Sequence, residues 1–449
     1  MTPALVSYRT PAPGRSWLRV AAAAALLLPA AGLRAQIPSA GTLDPTFDNG
    51  VGVSTIYAVD YETDSGNAIK VTVGGDRAFG AYLNTVNADG SNVQPGGPED
   101  ARFRLTPFGN AARIIFTVVP EQHLAEDSSF PNLLVGGSFD GGFGRGANSN
   151  KSPQNIVRIA PDGSQDTGFA AAVGTGANAF VTSIVPLKDG RIVVGGLFTA
   201  FNKQPRRRIV RLLGSGAVDS SFATGSNIDN DVLAVAESID PANDGINGSI
   251  NGSIYVGGIF NRVAGQSYAK LARLDPNGNL DMSFHPNIDL RVNAILVQPD
   301  GKIIIGGDFT SVNGVRVSRL ARLGYDGSLD PTFVGAVSGV PNNDVNPTAV
   351  NVLRPVGDSD GRIYIGGEFA QINGVTRRYL GLISKDGVLD LTFDPVKYIN
   401  NAVQSIAIQS DGKVLVGQTL GPRINNKFPS SIVRLYGGPV PLTTLPVNE

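Results

Sequence analysis

Short apolar runs recur along most of the chain, each three to five residues long and each ended by a turn-forming pair. Ile192–Val194, Ile303–Ile305 and Ile363–Ile365 are the clearest: β-branched or aromatic, with Asp-Gly upstream and Gly-Gly immediately after. Runs this short do not make helices, so the pattern predicts strands. Asp189-Gly190, Asp300-Gly301, Asp360-Gly361 and Asp411-Gly412 sit before the Gly-Gly strand. Asp162-Gly163, Asn277-Gly278, Asp326-Gly327 and Asp386-Gly387 fall later in the unit, and Asn313-Gly314 and Asn373-Gly374 follow the Gly-Gly-x-Phe stretch. Such pairs supply the positive φ angles that tight hairpins require. Three turns per unit predict four strands per unit. No stretch has the period of an amphipathic helix, which argues against α/β barrels and doubly wound sheets.

The unit is written seven times. Gly-Gly pairs begin at Gly74, Gly136, Gly195, Gly257, Gly306 and Gly366, and the last copy degrades to Gly417-Gln418. Successive first glycines are 62, 59, 62, 49, 60 and 51 residues apart, a repeat of about 57 residues with loops of variable length. The two ends complement each other. The repeats open on Leu43-Asp-Pro-Thr-Phe47, the closing piece of a unit without its beginning, and finish on Ile432–Leu435, a unit without that closing piece. A solenoid has no use for this offset, whereas a ring does, because closure removes exposed sheet edges. The expected fold is therefore all-β, a seven-bladed β-propeller of four-stranded blades over residues 41–435. In this reading the ring is closed by the N-terminal segment, which completes the last blade.

The Asp-Gly-Lys/Arg turn, the Gly-Gly-x-Phe strand, the Leu-Ala-Arg-Leu strand (Leu271–Leu274, Leu320–Leu323) and the Leu-Asp-x-Ser/Thr-Phe close together resemble the delta-60 repeat family of bacterial secreted and surface proteins. The resemblance spans nearly all of the chain after residue 40, strongly over 155–435 and weakly over 48–135. It implies a β-propeller outside the cytoplasm, and it brings no catalytic residues with it.

Charge and composition then narrow the address. Residues 1–35 hold Arg9, Arg15, Arg19 and Arg34 and no acid, and Val20–Ala31 is an apolar run of 12 residues ending near Leu33-Arg-Ala35. A bilayer-spanning helix takes about 20 apolar residues, so this segment reads as a secretory signal peptide rather than an anchor. The expected organisation is a signal peptide over 1–35, the propeller over 36–435 and a tail over 436–449, exported to the periplasm, outer surface or medium. Without the signal the chain carries 33 basic and 38 acidic residues and loses Trp17, the only tryptophan. Near-balanced charge argues against nucleic acid as a partner. The absence of cysteine excludes disulfides, thiolate metal sites and cysteine nucleophiles.

Candidate chemistry is sparse. Asp44, Asp219, Asp281, Asp330 and Asp390 recur in the closing turn, and a residue present in nearly every blade belongs to blade construction before it belongs to a site. Asp275–Asp281 resembles part of a calcium loop, but its glycine is at position four where the EF-hand needs it at six; no cofactor is expected, calcium being the nearest candidate. His123 and His285, the only histidines, are about three repeats apart with no nucleophile beside them, which disfavours a serine triad or a multi-histidine zinc site. Gly141–Gly146 lacks both the dinucleotide spacing and a following helix. Arg206–Arg208 falls at a hairpin, as a solvated edge. Thr182, Asn293, Asn351 and Gln404 are polar residues at one slot of the inner strand, where they would line the central channel as a ring that holds water or a small ligand.

The expectation is a non-enzymatic binding or scaffold propeller, monomeric, whose protein or glycan partner meets variable loops such as 93–130 and 227–253. The alternative is a glycan-active hydrolase or lyase. It would use Asp308 and Glu368, which follow the Gly-Gly pairs of adjacent blades, as facing carboxylates.

Overall fold

Residues 40–44, 56–63, 69–77, 80–87, 114–121, 132–139, 153–160, 164–223, 227–238, 252–339, 348–357, 360–409, 411–419 and 432–437 are described by the structure, a computed structural model. The expected signal segment, His123, Gly141–Gly146, the tail beyond 437 and much of the loops over 93–130 and 227–253 lie outside them. By backbone contacts the chain divides into Met1–Pro38 and Ser39–Glu449, and all strands belong to the second unit.

Strands form at the predicted apolar runs. In the fifth repeat an inner strand Val292–Val297, a middle strand Ile303–Gly307 and an outer strand Leu320–Leu323 pair antiparallel in that spatial order. The Asp300-Gly301 turn joins the first two. Between middle and outer strands the chain makes a separate two-stranded hairpin, Ser311–Val312 with Val315–Arg316. The third, fourth and sixth repeats follow the same plan, around the middle strands Ile192–Gly196, Ile254–Gly258 and Ile363–Glu368. Among the described residues seven three-stranded sheets have an inner, a middle and an outer strand.

The fourth strand expected in each unit is cut down to one bridged residue: Val218 on Leu212, Leu280 on Leu274, Leu329 on Leu323 and Leu389 on Ile383. The aspartate that follows is the cause. Asp330 N–H still donates to Arg322 C=O at 2.9 Å, but the next amide in reach, Thr332 N–H, donates at 2.9 Å to the Asp330 carboxylate instead of to the ladder. In the last unit the bridge on Leu435 comes from Leu43.

One short helix, Thr167–Val173, departs from the all-strand expectation. Gly168 stands where other closing turns have Ser221, Ser283, Thr332 or Thr392. With no hydroxyl to bind, Asp166 Oδ1 accepts the Phe169 N–H and caps the helix.

The core lies between sheets rather than within one. All five residues of Ile303–Gly307 are buried, so alternation is lost and both faces are apolar. Ile303 and Ile305 pack with Tyr255 and Leu271 of the fourth unit, while Ile304 packs with Val350, Ile363 and Ile365 of the sixth. Each such side chain contributes about 1.5–3 kcal/mol when buried.

The Gly-Gly pair follows from the same crowding. A Cβ on Gly306 would stand 2.5 Å from Val350 Cγ1 of the next unit, and one on Gly307 would stand 2.1 Å from the Arg291 carbonyl oxygen just ahead of its own inner strand. The first glycine admits the neighbouring sheet; the second admits a backbone carbonyl. Just before five of the outer strands a residue with a side chain takes the left-handed region: Asn155, Arg208, Lys270, Arg319 and Tyr379, at φ 64–69°. Arg319 N–H donates to Phe309 C=O, and its own carbonyl accepts the Gly307 N–H at 3.1 Å, bonds that hold a conformation otherwise costing about 1–3 kcal/mol.

Gly306→Ala is expected to destabilise by about 1–3 kcal/mol, the cost of overpacking against a side chain that has some room to shift. Gly307→Ala should cost more, because a backbone carbonyl blocks it. Urea denaturation of both variants checks the order, and a Gly307→Ala midpoint equal to wild type would refute the steric account.

Candidate functional site

Each inner strand carries one β-bulge at the same place. Register slips between Val181 and Ser183, Val292 and Ala294, Val350 and Val352, and Val403 and Ser405, leaving Thr182, Asn293, Asn351 and Gln404 as the extra residues. The four polar positions of the sequence reading are therefore one structural slot, where a bulge re-aims the side chain. Tyr57, Phe116 and Leu233 fill it in the first, second and fourth units.

The bulged side chains reach toward the following unit. Thr182 Oγ1 donates to Val232 C=O at 2.7 Å, Asn293 Nδ2 to Val350 C=O at 3.2 Å, and Asn351 Nδ2 to Val403 C=O at 3.3 Å. Asn293 and Asn351 are also brought together, Nδ2 to Oδ1 at 3.4 Å. Two units away, Thr182 takes no part in that pair. Gln404 is half-buried in the last inner strand. The amide oxygens of Asn293 and Asn351 and the amide of Gln404 form the polar stretch of the line, and Phe116, packed on Phe180 at 5.9 Å between ring centres, begins its apolar stretch.

Asp308 and Glu368 occupy one slot in neighbouring units, both half-buried. Asp308 Oδ2 is ion-paired with Arg291 Nε at 2.9 Å, and its Oδ1 is buried without a hydrogen-bond partner among the described residues. Glu368 is paired across the sheet with Ala349. His285, the described histidine, packs edge-on to Tyr268 at 4.4 Å with Nε2 3.0 Å from Ser267 O.

The recurring aspartates serve the scaffold. Arg158, Arg211, Arg273 and Arg322 lie on the outer strands, and their Nε atoms bind Asp166, Asp219, Asp281 and Asp330 at 2.9, 2.8, 2.7 and 2.9 Å. Each guanidinium lies over the phenylalanine that closes its own turn, 4.5 Å from Phe169, 4.7 Å from Phe222, 5.0 Å from Phe284 and 5.3 Å from Phe333. Each Nη1 then donates to a backbone carbonyl of the next unit: Gly214 at 2.6 Å, Pro276, Tyr325 at 2.6 Å and Lys385 at 2.8 Å. Burial pushes the Asp219 carboxyl up, but the Ser221 hydroxyl and amide and the Arg211 guanidinium more than offset it, holding Asp219 at about 2. Asp281 and Asp330 are lowered by the same kinds of group. In the sixth unit Leu382 replaces the arginine, and Asp390 keeps Thr392 and, at 3.9 Å, Arg362.

Where the fifth and sixth units meet beside Arg322, a cleft of about 530 Å³ opens. Leu296, Pro355 and Ile363 give it apolar walls, and Gln298, Asp300 and Asp386 bring polar groups. Gln298 Nε2 donates to Lys385 C=O at 3.1 Å, which turns Oε1 the other way, buried and without a partner among the described residues. Asp386 Oδ1 accepts from Arg322 Nη1 at 2.7 Å. Sequence reading passed over this cleft because its walls are some 60 to 90 residues apart in the chain. Only the glutamine shared by Gln298 and Gln409 at one slot pointed to it.

A family model described as "Domain of unknown function (DUF5122) beta-propeller" matches residues 187–222, 251–284, 298–333 and 359–393. Every match ends on the phenylalanine of a closing turn. The match supports a β-propeller repeat family, and the fold is all-β and propeller-like, of antiparallel sheets with almost no helix. No curated protein sequence matches the chain. Similar solved structures include one titled as the mitotic checkpoint complex (TM-score 0.49, 11% identity, 98% of this chain and 100% of that one). YCF48 from Cyanidioschyzon merolae gives a TM-score of 0.41 at 9% identity, over 86% of this chain and 96% of that one. A gluconolactonase from Xanthomonas campestris gives 0.34 at 12%, over 68% and 90%. At these scores the likenesses carry no argument about function.

The lowered aspartates fix an acid limb. A carboxyl held below its unfolded value near 3.9 contributes stability that is fully present above that value and is lost as pH falls through the folded value, about 2 for Asp219. The melting temperature is therefore expected to fall between about pH 4 and pH 2. Asp219→Asn should lower it at pH 7 and shallow that limb, as calorimetry across pH would read. An unchanged limb would mean that Asp219 holds nothing.

Proposed function

We propose that the chain is an exported, non-enzymatic binding protein built on a delta-60-like propeller of seven blades. Its ligand contacts lie along the bulge line (Thr182, Asn293, Asn351, Gln404) and in the cleft beside Gln298. The observation that carries this reading is how the acids are used. Asp166 is tied to the half-buried Arg158, Asp219, Asp281 and Asp330 to the buried Arg211, Arg273 and Arg322, and Asp308, half of the best carboxylate pair, to Arg291. General acid and base work needs carboxyls free to exchange protons with a substrate. What the bulge line and the cleft offer a ligand is mostly polar: side-chain amides on the bulges, and the Gln298 acceptor above an apolar wall beside Asp300 and Asp386.

Seven blades closed by the N-terminal segment are part of the same proposal. In its support, the inner strand Ile56–Thr63 lies against both Ile114–Pro120 and Val403–Ile408. Further support comes from Asp44, whose Oδ2 accepts from Arg434 Nε at 2.8 Å, repeating across 390 residues the pair that Arg158, Arg211, Arg273 and Arg322 make within their own units. Export rests on the basic and apolar sequence of residues 1–35.

If Asp44 latches the ring, Asp44→Asn should lower the melting temperature and speed hydrogen exchange at residues 40–44 and 432–437 before the rest of the fold. Uniform exchange across the chain would remove the latch.

Melting the protein with neutral soluble glycans, peptides and calcium tests the binding reading. A ligand that binds only the folded state adds about 2.7 kcal/mol at one hundred times its dissociation constant. The expected result is a raised midpoint with one ligand class, lost in Asn293→Ala/Asn351→Ala or in Gln298→Ala, with no turnover. Glycan cleavage abolished by Asp308→Asn or Glu368→Gln would overturn it in favour of a hydrolase.

A further inference from the structure

The hairpins between middle and outer strands hold a charge asymmetry that the binding line does not use. Over residues 198–208, 260–270, 309–319 and 369–379 there are ten lysines and arginines and no acid, in a chain whose totals are 37 basic and 38 acidic. Some of these cations are spoken for. Arg208 pairs with Asp231 at 3.0 Å, Arg377 is 3.7 Å from Asp394, and Lys270 and Arg319 donate to backbone carbonyls. Arg206 is satisfied by Pro205 C=O and Gln204, and Arg262 by Gly265 C=O, all of them uncharged acceptors. Lys203, Arg207, Arg262 and Arg316 are exposed, and among the described residues none of them, nor Arg206, has a carboxylate partner. Two exposed acids flank the hairpins with their carboxylates engaged by backbone: Asp229 accepts the Asn261 and Arg262 amides, and Asp289 the Thr310 and Ser311 amides.

Neighbouring hairpins are also tied side by side. Ser267 of the fourth lies 3.0 Å from His285 Nε2 at the start of a linker whose Ile288 bridges to Val312 of the fifth. Ser318 of the fifth accepts from Val337 N at 3.1 Å, and Val337 pairs with Ile372 of the sixth. The fourth, fifth and sixth hairpins therefore form one connected edge, and the third unit carries the same hairpin, Ala200–Phe201 with Gln204–Pro205.

We propose that this edge docks a polyanionic polysaccharide, carboxylated or sulfated, across several units; the inference rests on the binding-protein reading and names a partner class for it. Arginine forks match carboxylate and sulfate oxygens two at a time, and the exposed amides and hydroxyl among them, Gln204, Gln266 and Ser267, suit sugar hydroxyls. Single-stranded nucleic acid is disfavoured because base stacking needs exposed aromatic faces. In these hairpins Phe201, Phe260, Phe309, Tyr268, Phe369 and Tyr379 are all buried.

The full chain is titrated with labelled polygalacturonate, dextran sulfate, neutral dextran and a short DNA duplex at two salt concentrations. The expected result is salt-sensitive binding of both acidic polysaccharides and none of neutral dextran. Affinity should fall roughly tenfold or more in Arg206→Gln/Arg207→Gln/Arg262→Gln/Arg316→Gln and by less in Arg206→Lys/Arg207→Lys, which keep the charge and lose only the fork. An unchanged melting temperature establishes that the four-glutamine variant is folded. Wild-type affinity in that variant, equal binding of neutral dextran, or tighter binding of the duplex than of either polysaccharide each overturns the proposal. A midpoint raised by neutral glycans or peptides, with no polyanion bound, removes this inference and leaves the binding-protein reading standing.

Discussion

The middle strands of the second to seventh units are apolar on both faces, and much else in the molecule follows from that. A three-stranded sheet with two sticky faces has no stable existence alone, so each unit must find a neighbour on either side. Ile303 and Ile305 answer to one neighbour and Ile304 to the other. Close approach of the sheets then dictates glycine at 306, and the Arg291 carbonyl just ahead of the inner strand dictates glycine at 307. The bulge of the inner strand frees one side chain per unit to leave the sheet. Among the described side chains these form the polar and apolar line on which the proposed binding reading rests.

Packing alone leaves sheets free to slide, and the buried arginines remove that freedom. A guanidinium held by its aspartate, stacked on phenylalanine and bonded to the next unit is fixed in direction as well as position. Burying such a pair gains little net energy over apolar residues of the same volume, so its value lies in geometry. The sixth unit makes the comparison within one molecule. Leu382 joins the apolar cluster of Tyr364, Leu380 and Phe393, and that joint is built by packing without the charge.

Features that depend on a few adjacent residues were legible in the sequence. Asp300-Gly301 announces its turn, Ile303–Ile305 its strand, and Gly306-Gly307 its crowding. The slot shared by Thr182, Asn293, Asn351 and Gln404 was visible as polar residues between apolar ones. Its bulge was not, because a one-residue slip depends on the partner strand. The fourth strand was over-read: three turns imply four strands only if the last segment spends its amides on the ladder, and Asp330 takes them instead. Gly168 signalled the helix in hindsight, as a missing hydroxyl. The cleft beside Gln298 was hidden because its walls, Leu296 and Ile363, meet only through the packing of two sheets.

The acceptor each arginine uses in the following unit is a main-chain oxygen: Gly214, Pro276, Tyr325 and Lys385 share no side chain, yet all serve. Apart from Asp386, which adds a carboxylate to Arg322, and the Tyr325 ring under Arg273, the joint therefore reads backbone shape more than sequence. A unit copied or exchanged by recombination meets its new neighbour with this bond already provided, and no compensating substitution is needed there. Loops and bulge residues are left free to diverge, so a surface of new specificity can be assembled by shuffling units whose seams are already compatible.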